Sequence, residues 1–200
     1  MMSPGVFALY LLAFGAVTSL PMIFFRKDGK KNLAWWLTGA PFGLSTLSLV
    51  LAQLGVLSPL VQPGSPLGRA LEVVSVPFAV GSIALIFATM ATHRVPLALW
   101  HQSNDAPRSI VTYGPYSKVR HPFYVSFLLF LVGCVVVSPQ IGTIAMLVAG
   151  FVSMSVTAAR EERRLLASEL GHEYADYLKR TGRFVPRLLS SSSPSSTATG

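Results

Sequence analysis

The sequence predicts an all-α, polytopic integral membrane protein of about five transmembrane helices, ending in a C-terminal helical hairpin and a cytoplasmic C-terminal helix. Three observations carry this. Only 12% of the 200 residues are charged, where a soluble domain shows roughly 25%. Those charges are segregated: residues 1–25, 32–68, 73–92 and 122–159 contain no Asp, Glu, Lys or Arg, and each block is long enough to cross a bilayer core of about 30 Å. The third observation is that the cations left over are shared unequally between successive connecting stretches. Together these exclude a soluble enzyme, a disordered chain and a disulfide scaffold. The net charge of +8 has no compact basic domain to present it, so it is read as membrane topology and not as nucleic-acid binding.

The elements follow in order. Segment 4–25 is apolar throughout and lacks both a basic leading region and a small-residue cleavage site, so it reads as a span and not as a cleaved signal. Segment 33–57 is a second span, with Trp35 and Trp36 as interface anchors and a kink at Pro41, whose ring removes one helix hydrogen bond. Pro59, Pro63, Gly64, Pro66 and Gly68 break the chain into a loop over 58–69, and a third span runs from about 71 to 92. The block 122–159 is too long for one crossing, and the Ser138-Pro139-Gln140 turn divides it into a hairpin whose two ends lie on one side. Cys134, the one cysteine, falls mid-hairpin and reads as a small core hydrophobe. The Ser-rich tail 188–200 has no pattern able to bury surface and reads as disordered. The chain thus divides into a three-span region (1–92), a loop, hairpin and C-terminal helix (93–187), and the tail.

Sidedness comes from the cations. Lys and Arg number four in 26–31, one in 69–72, four in 93–121 and seven in 160–187. Alternating sides gives 15 against 1, which places the first, third and last stretches in the cytoplasm and the N-terminus outside. If the source is bacterial, the membrane is the plasma or inner membrane.

The densest polar sequence flanks the hairpin. Before it stand Tyr113, Gly114, Pro115 and Tyr116, then Arg120, His121, Pro122 and Tyr124. The Gly-Pro pair marks a turn, Pro122 suits the first position of a helix, and a helix start beside Arg120 offers N–H groups and positive charge to an anion. After the hairpin come Glu161 and Glu162 among Arg160, Arg163 and Arg164. On a continuing helix Glu162 shares a face with Leu166, Leu170, Tyr174 and Tyr177, whereas Glu161 pairs with Arg164 one turn on. Because the hairpin returns to its own side, the glutamates should approach Arg120 and His121. Each cation also serves as a topology anchor, and each tyrosine as an interface aromatic; the combination is what singles them out. His93, His101 and His172 show no metal-ligand spacing, so no metal is expected.

The ordered set Tyr113-Gly114-Pro115-Tyr116, Val119-Arg120-His121-Pro122-Phe123-Tyr124, Glu161-Glu162, Leu170-Gly171-His172-Glu173-Tyr174, Tyr177 and Arg183-Phe184-Val185-Pro186 resembles the isoprenylcysteine carboxyl methyltransferase family, to which phospholipid N-methyltransferases are related. The resemblance covers roughly 108–187. It implies a membrane enzyme that uses S-adenosylmethionine at the cytoplasmic face to methylate a lipid-soluble or lipid-tethered acceptor. The cofactor contacts would be Tyr113, Gly114, Pro115, Tyr116, Arg120, His121, Pro122, Tyr124, Glu161 and Glu162. Glu162 would be the candidate base for an amine acceptor, and Arg160, Arg163 or Arg164, on charge alone, the candidate holder of an acceptor carboxylate or phosphate. Partners would be the lipophilic acceptor and membrane lipids, with no nucleic acid. Three alternatives stay open: a phospholipid N-methyltransferase, a sterol-reductase-like enzyme using NADPH, and a non-enzymatic membrane scaffold.

Overall fold

A computed structural model describes residues 1–18, 29–31, 33–92 and 109–187. Six α-helices occur among them: α1 (Pro4–Thr18), α2 (Leu33–Gln53), α3 (Pro66–Thr92), α4 (Pro122–Val137), α5 (Ile141–Leu166) and α6 (Gly171–Arg180), with one turn of 3-10 helix at Gly114–Ser117. No strand is present among the described residues; an isolated parallel bridge joins Val119 and Gly182. The end of the first expected span (19–25), the stretch 93–108 with His93 and His101, and the tail 188–200 lie outside the described residues.

The all-helical expectation holds, but the number of spans is corrected. Among the described residues two helices, α3 and α5, are long and apolar enough to cross a membrane, whereas α4 is apolar but holds only 16 residues. At 1.5 Å per residue such a helix reaches about 24 Å, short of a bilayer core of roughly 30 Å.

The hairpin turn falls where the sequence puts it, between Val137 and Ile141. Other boundaries moved for local reasons. Helix α3 starts at Pro66 and not near 71, because Ser65 accepts the Gly68 N–H on its Oγ at 3.0 Å and the Arg69 N–H on its carbonyl at 2.9 Å, satisfying N–H groups of the first turn. Helix α2 ends at Gln53 and not at 57, closed by Gly55 at φ +75° with the Val56 N–H returning to Leu51. Nor does α5 continue into the C-terminal region. It stops at Leu166, and the chain turns back on itself before α6; a side chain at Gly171 would collide with the Leu166 carbonyl.

Helix α4 is the axis of the bundle, touching α1, α2, α3 and α5 and burying residues around its whole circumference. Phe42 of α2 stacks on Phe130 with ring centroids 4.3 Å apart, and Phe127 and Tyr10 pack against the same pair. The Tyr10 hydroxyl donates to the Ser75 carbonyl at 3.1 Å, fastening α1 to α3. The outer helices are inverted relative to those of a soluble protein. Helix α3 buries Glu72, Ser75, Ser82 and Thr89 and exposes Val73, Val80 and Phe87. Likewise α5 buries Gly150, Thr157 and Ala158 and exposes Val148, Phe151, Val152 and Val156. Small and polar residues inside with large apolar ones outside is the packing that helices adopt when their surroundings are as apolar as their side chains.

Candidate functional site

The C-terminal end of α3, the start of α4, the end of α5 and helix α6 meet at one end of the bundle. Pro122 opens α4, where its missing N–H has no partner to lose, and His121 stands at its cap with extended φ (−124°). The segment after α6 folds back across this start: the Arg120 N–H donates to Gly182 O at 2.9 Å and the His121 N–H to Arg183 O at 3.2 Å. Gly182 is required there, since a Cβ would overlap the Val185 carbonyl. Three elements far apart in sequence are thereby pinned together.

At their junction lies Glu162, buried with 8% of its side chain exposed. Arg120 Nε donates to its Oε1 at 2.9 Å, and Arg183 grips both oxygens, through Nε at 3.1 Å and through Nη2. Arg120 also donates Nη1 to the Thr181 carbonyl. One carboxylate thus faces two guanidiniums, the fork geometry that makes the strongest ion pairs. His121 sits between the two glutamates, its Nε2 3.3 Å from Glu162 Oε1 and its Nδ1 3.4 Å from Glu161 Oε2. Glu161 in turn accepts the Tyr124 hydroxyl at 2.9 Å. The Tyr124 ring stacks on the imidazole at 5.3 Å, and Phe184 lies edge-on to both.

Burial pushes His121 below the usual histidine range, against an opposing pull from its hydrogen bond to Glu162. Arg183 is held still more firmly protonated by its bonds to Glu162. A neutral imidazole has one N–H to give, so the two carboxylates cannot be equivalent: one receives that hydrogen and the other meets a lone pair. The arrangement can therefore do two things. It holds a buried anion against two fixed cations, and it offers a path for a proton from one carboxylate to the other through the ring. It is not a preformed metal cage. The imidazole nitrogens address different carboxylates on opposite edges of the ring, and among the described residues no group of three or more His, Cys, Asp or Glu is placed to hold a metal ion.

Of the residues expected at a site, Arg120, His121, Tyr124, Glu161 and Glu162 come together. The others build the surroundings. Tyr113 is exposed and donates its hydroxyl to the Thr92 carbonyl at 3.2 Å. Gly114 adopts φ +60° against Thr92, where a Cβ would lie 2.6 Å from the threonine Oγ1. Pro115 starts the 3-10 turn, and Tyr116 is buried, its carbonyl accepting the Tyr177 hydroxyl at 2.6 Å. Arg164 is exposed on α5, where its charge acts on Glu161. Glu161 faces inward to Tyr124 and His121 and is not simply one half of a surface pair. Sequence reasoning missed Arg183 and Thr181 as members of the cluster. Arg183 was visible only as part of a C-terminal motif, and nothing local shows that the chain doubles back after α6.

The chain is 35% identical over 108 residues, 54% of its own length and 48% of the relative's, to the cobalt-zinc-cadmium resistance protein CzcN of Cupriavidus metallidurans. It is 34% identical over 107 residues, 54% of its length and 50% of the relative's, to the nickel-cobalt-cadmium resistance protein NccN of Alcaligenes xylosoxydans xylosoxydans. The chain spans about half the length of the curated relatives it matches. No family model matches it, and no solved structure does. These findings correct the resemblance to isoprenylcysteine carboxyl methyltransferases and the methyl-transfer function read from it. The matched relatives are named for metal resistance and not as methyltransferases, so the enzymatic expectation and its lipophilic methyl acceptor fall with the resemblance. The expectation that metals play no part is at odds with the same names.

Proposed function

We propose that this chain is an integral membrane protein that contributes to resistance against divalent heavy-metal cations of the cobalt, zinc, nickel and cadmium class. In this reading the Arg120–Glu162–Arg183 cluster, with His121, Glu161 and Tyr124, is its working centre. The observation that carries the reading is the likeness to two proteins named for resistance to such metals. Membrane placement is supported by the two long apolar helices and by their outward-facing valines and phenylalanines. The excess of Lys and Arg on alternate connecting stretches supports a cytoplasmic position for the cluster and an external N-terminus. No chemical step is needed: a non-enzymatic membrane component, in which a buried ion pair and a proton path hold or switch the cytoplasmic end of the bundle, accounts for the geometry.

The test is expression in a metal-sensitive host. The chain is expected in membranes after an alkaline wash, and its host is expected to tolerate more cobalt, zinc, cadmium or nickel than a host with an empty vector. Unchanged tolerance to all four ions, with the chain present in the membrane, would overturn the reading. Titrations of the purified protein with each metal ion, and with S-adenosylmethionine as the comparison ligand, show which of them the cluster responds to.

A further inference from the structure

The opposite end of the bundle holds a second polar arrangement that the metal-resistance reading does not use. The backbone N–H of Met2 donates to Gln53 Oε1 at 2.9 Å, and that of Ser3 donates to Glu72 Oε2 at 3.1 Å. Glu72 is 8% exposed. It lines an open cleft of about 650 Å3 together with Arg69 and the apolar side chains of Val6, Val73, Val76 and Pro77. Arg69 is exposed, and its Nε donates to Gly64 O at 3.1 Å, which sets the guanidinium at the mouth. Val73 lines the cleft and is also 71% exposed, so the cleft opens sideways onto the apolar flank of the bundle.

Depth and charge then identify an occupant. The uncharged stretch 73–92 of α3 is about as long as the bilayer core is thick, which leaves Arg69 and Glu72 at the level of lipid headgroups. One guanidinium and one buried carboxylate, a turn of helix apart, face a cleft whose remaining walls are mainly apolar, with Met1, Ser3 and Gly64 beside the valines and Pro77. That combination complements an amphiphile carrying a phosphate, a neighbouring ammonium and acyl chains. The carboxylate favours a primary ammonium, which donates hydrogen bonds, over a quaternary one, which has none to donate.

We propose that this cleft is a binding site for a zwitterionic phospholipid with a primary-amine headgroup, phosphatidylethanolamine in chemical class. Arg69 takes the phosphate, Glu72 the ammonium, and Val6, Val73, Val76 and Pro77 the upper acyl chain. The site rests on membrane placement and on nothing else in the functional reading, and the alkaline wash tests that placement separately.

The experiment is lipid retention by the detergent-purified full chain, read by native mass spectrometry with phosphatidylethanolamine, phosphatidylcholine and phosphatidylglycerol offered together. The parent is expected to retain the ethanolamine lipid preferentially, by about tenfold, the worth of one charge-assisted hydrogen bond. Glu72→Gln is expected to abolish the preference over choline, and Arg69→Gln to weaken retention of both zwitterionic lipids. Val76→Phe, which fills the cleft and leaves both charges in place, is expected to lose retention and decides the matter if Glu72→Gln does not fold. Equal retention of the three lipids by the parent would overturn the proposal. So would an unchanged preference in a folded Glu72→Gln protein, unchanged retention in Val76→Phe, or full competition by phosphoethanolamine without acyl chains.

Discussion

Glu162 shows how much rests on one side chain. Its carboxylate is the shared counter-charge of Arg120 and Arg183 and a hydrogen-bond partner of His121. Truncating it leaves the largely buried Arg120 without compensation, so Glu162→Ala is expected to cost about 3–5 kcal/mol of stability. Arg183→Ala should cost only about 1 kcal/mol, because that side chain is 38% exposed and Arg120 still compensates the glutamate. Denaturant unfolding in detergent compares the two, and equal losses would show that Arg120 is not the principal partner. His121 gives a pH dependence with a definite sign. Its folded-state proton affinity is depressed by burial, so the unfolded chain takes up the proton first. Its contribution is therefore complete above its ordinary value, near 6.5, and is lost as pH falls below that value. The neighbouring Glu161, Glu162, Arg120 and Arg183 set the size of the loss. A His121→Gln variant should show a flatter stability profile between pH 7 and 5 than the parent, and an identical slope would assign the loss to other groups. In sequence, the composition of this cluster was legible: Arg120, His121, Tyr124 and the glutamate pair stand out because charge is so scarce. Arg183 was not, because its role depends on a reversal of direction that no local pattern announces.

Among the elements, the hairpin was the most legible, since a Ser-Pro-Gln turn inside a long uncharged block leaves few other readings. The helix ends at Pro66, Gly55 and Leu166 were less so, because they are set by capping bonds and by close backbone approach, which composition does not record. The strap 181–187 is the element on which the site depends most. With no side chain, Gly182 passes under the Val185 carbonyl and lets the strap pair with Arg120 and His121. Gly182→Ala should lift the strap and withdraw Arg183 from Glu162, at a cost of about 1–3 kcal/mol. Limited proteolysis should then cut the C-terminal segment faster than in the parent; unchanged protection would mean that α6 alone holds the strap down. A comparable steric limit operates in the core. A Cβ at Gly133 would collide with the Tyr10 hydroxyl and lie 3.1 Å from Phe78 Cβ. Gly133→Ala is therefore expected to loosen α1 and α3 from α4 and to lower the unfolding temperature.

For the whole molecule, segregation of charge made the helical class and the apolar exterior legible, while the count of five spans outran the two helices, α3 and α5, that are long and apolar enough to cross among the described residues. Function was less legible. The same arginine, histidine and glutamates that invited a methyltransferase reading, Arg120, His121, Glu161 and Glu162, pair with one another in the structure, and the relatives that match are named for metal resistance. The most direct test of the account is growth under cobalt, zinc, cadmium and nickel of cells carrying the parent or Glu162→Gln at matched membrane levels. The account predicts that the parent raises tolerance and that Glu162→Gln returns it to the empty-vector level. Full tolerance from a Glu162→Gln protein that folds and reaches the membrane would contradict it.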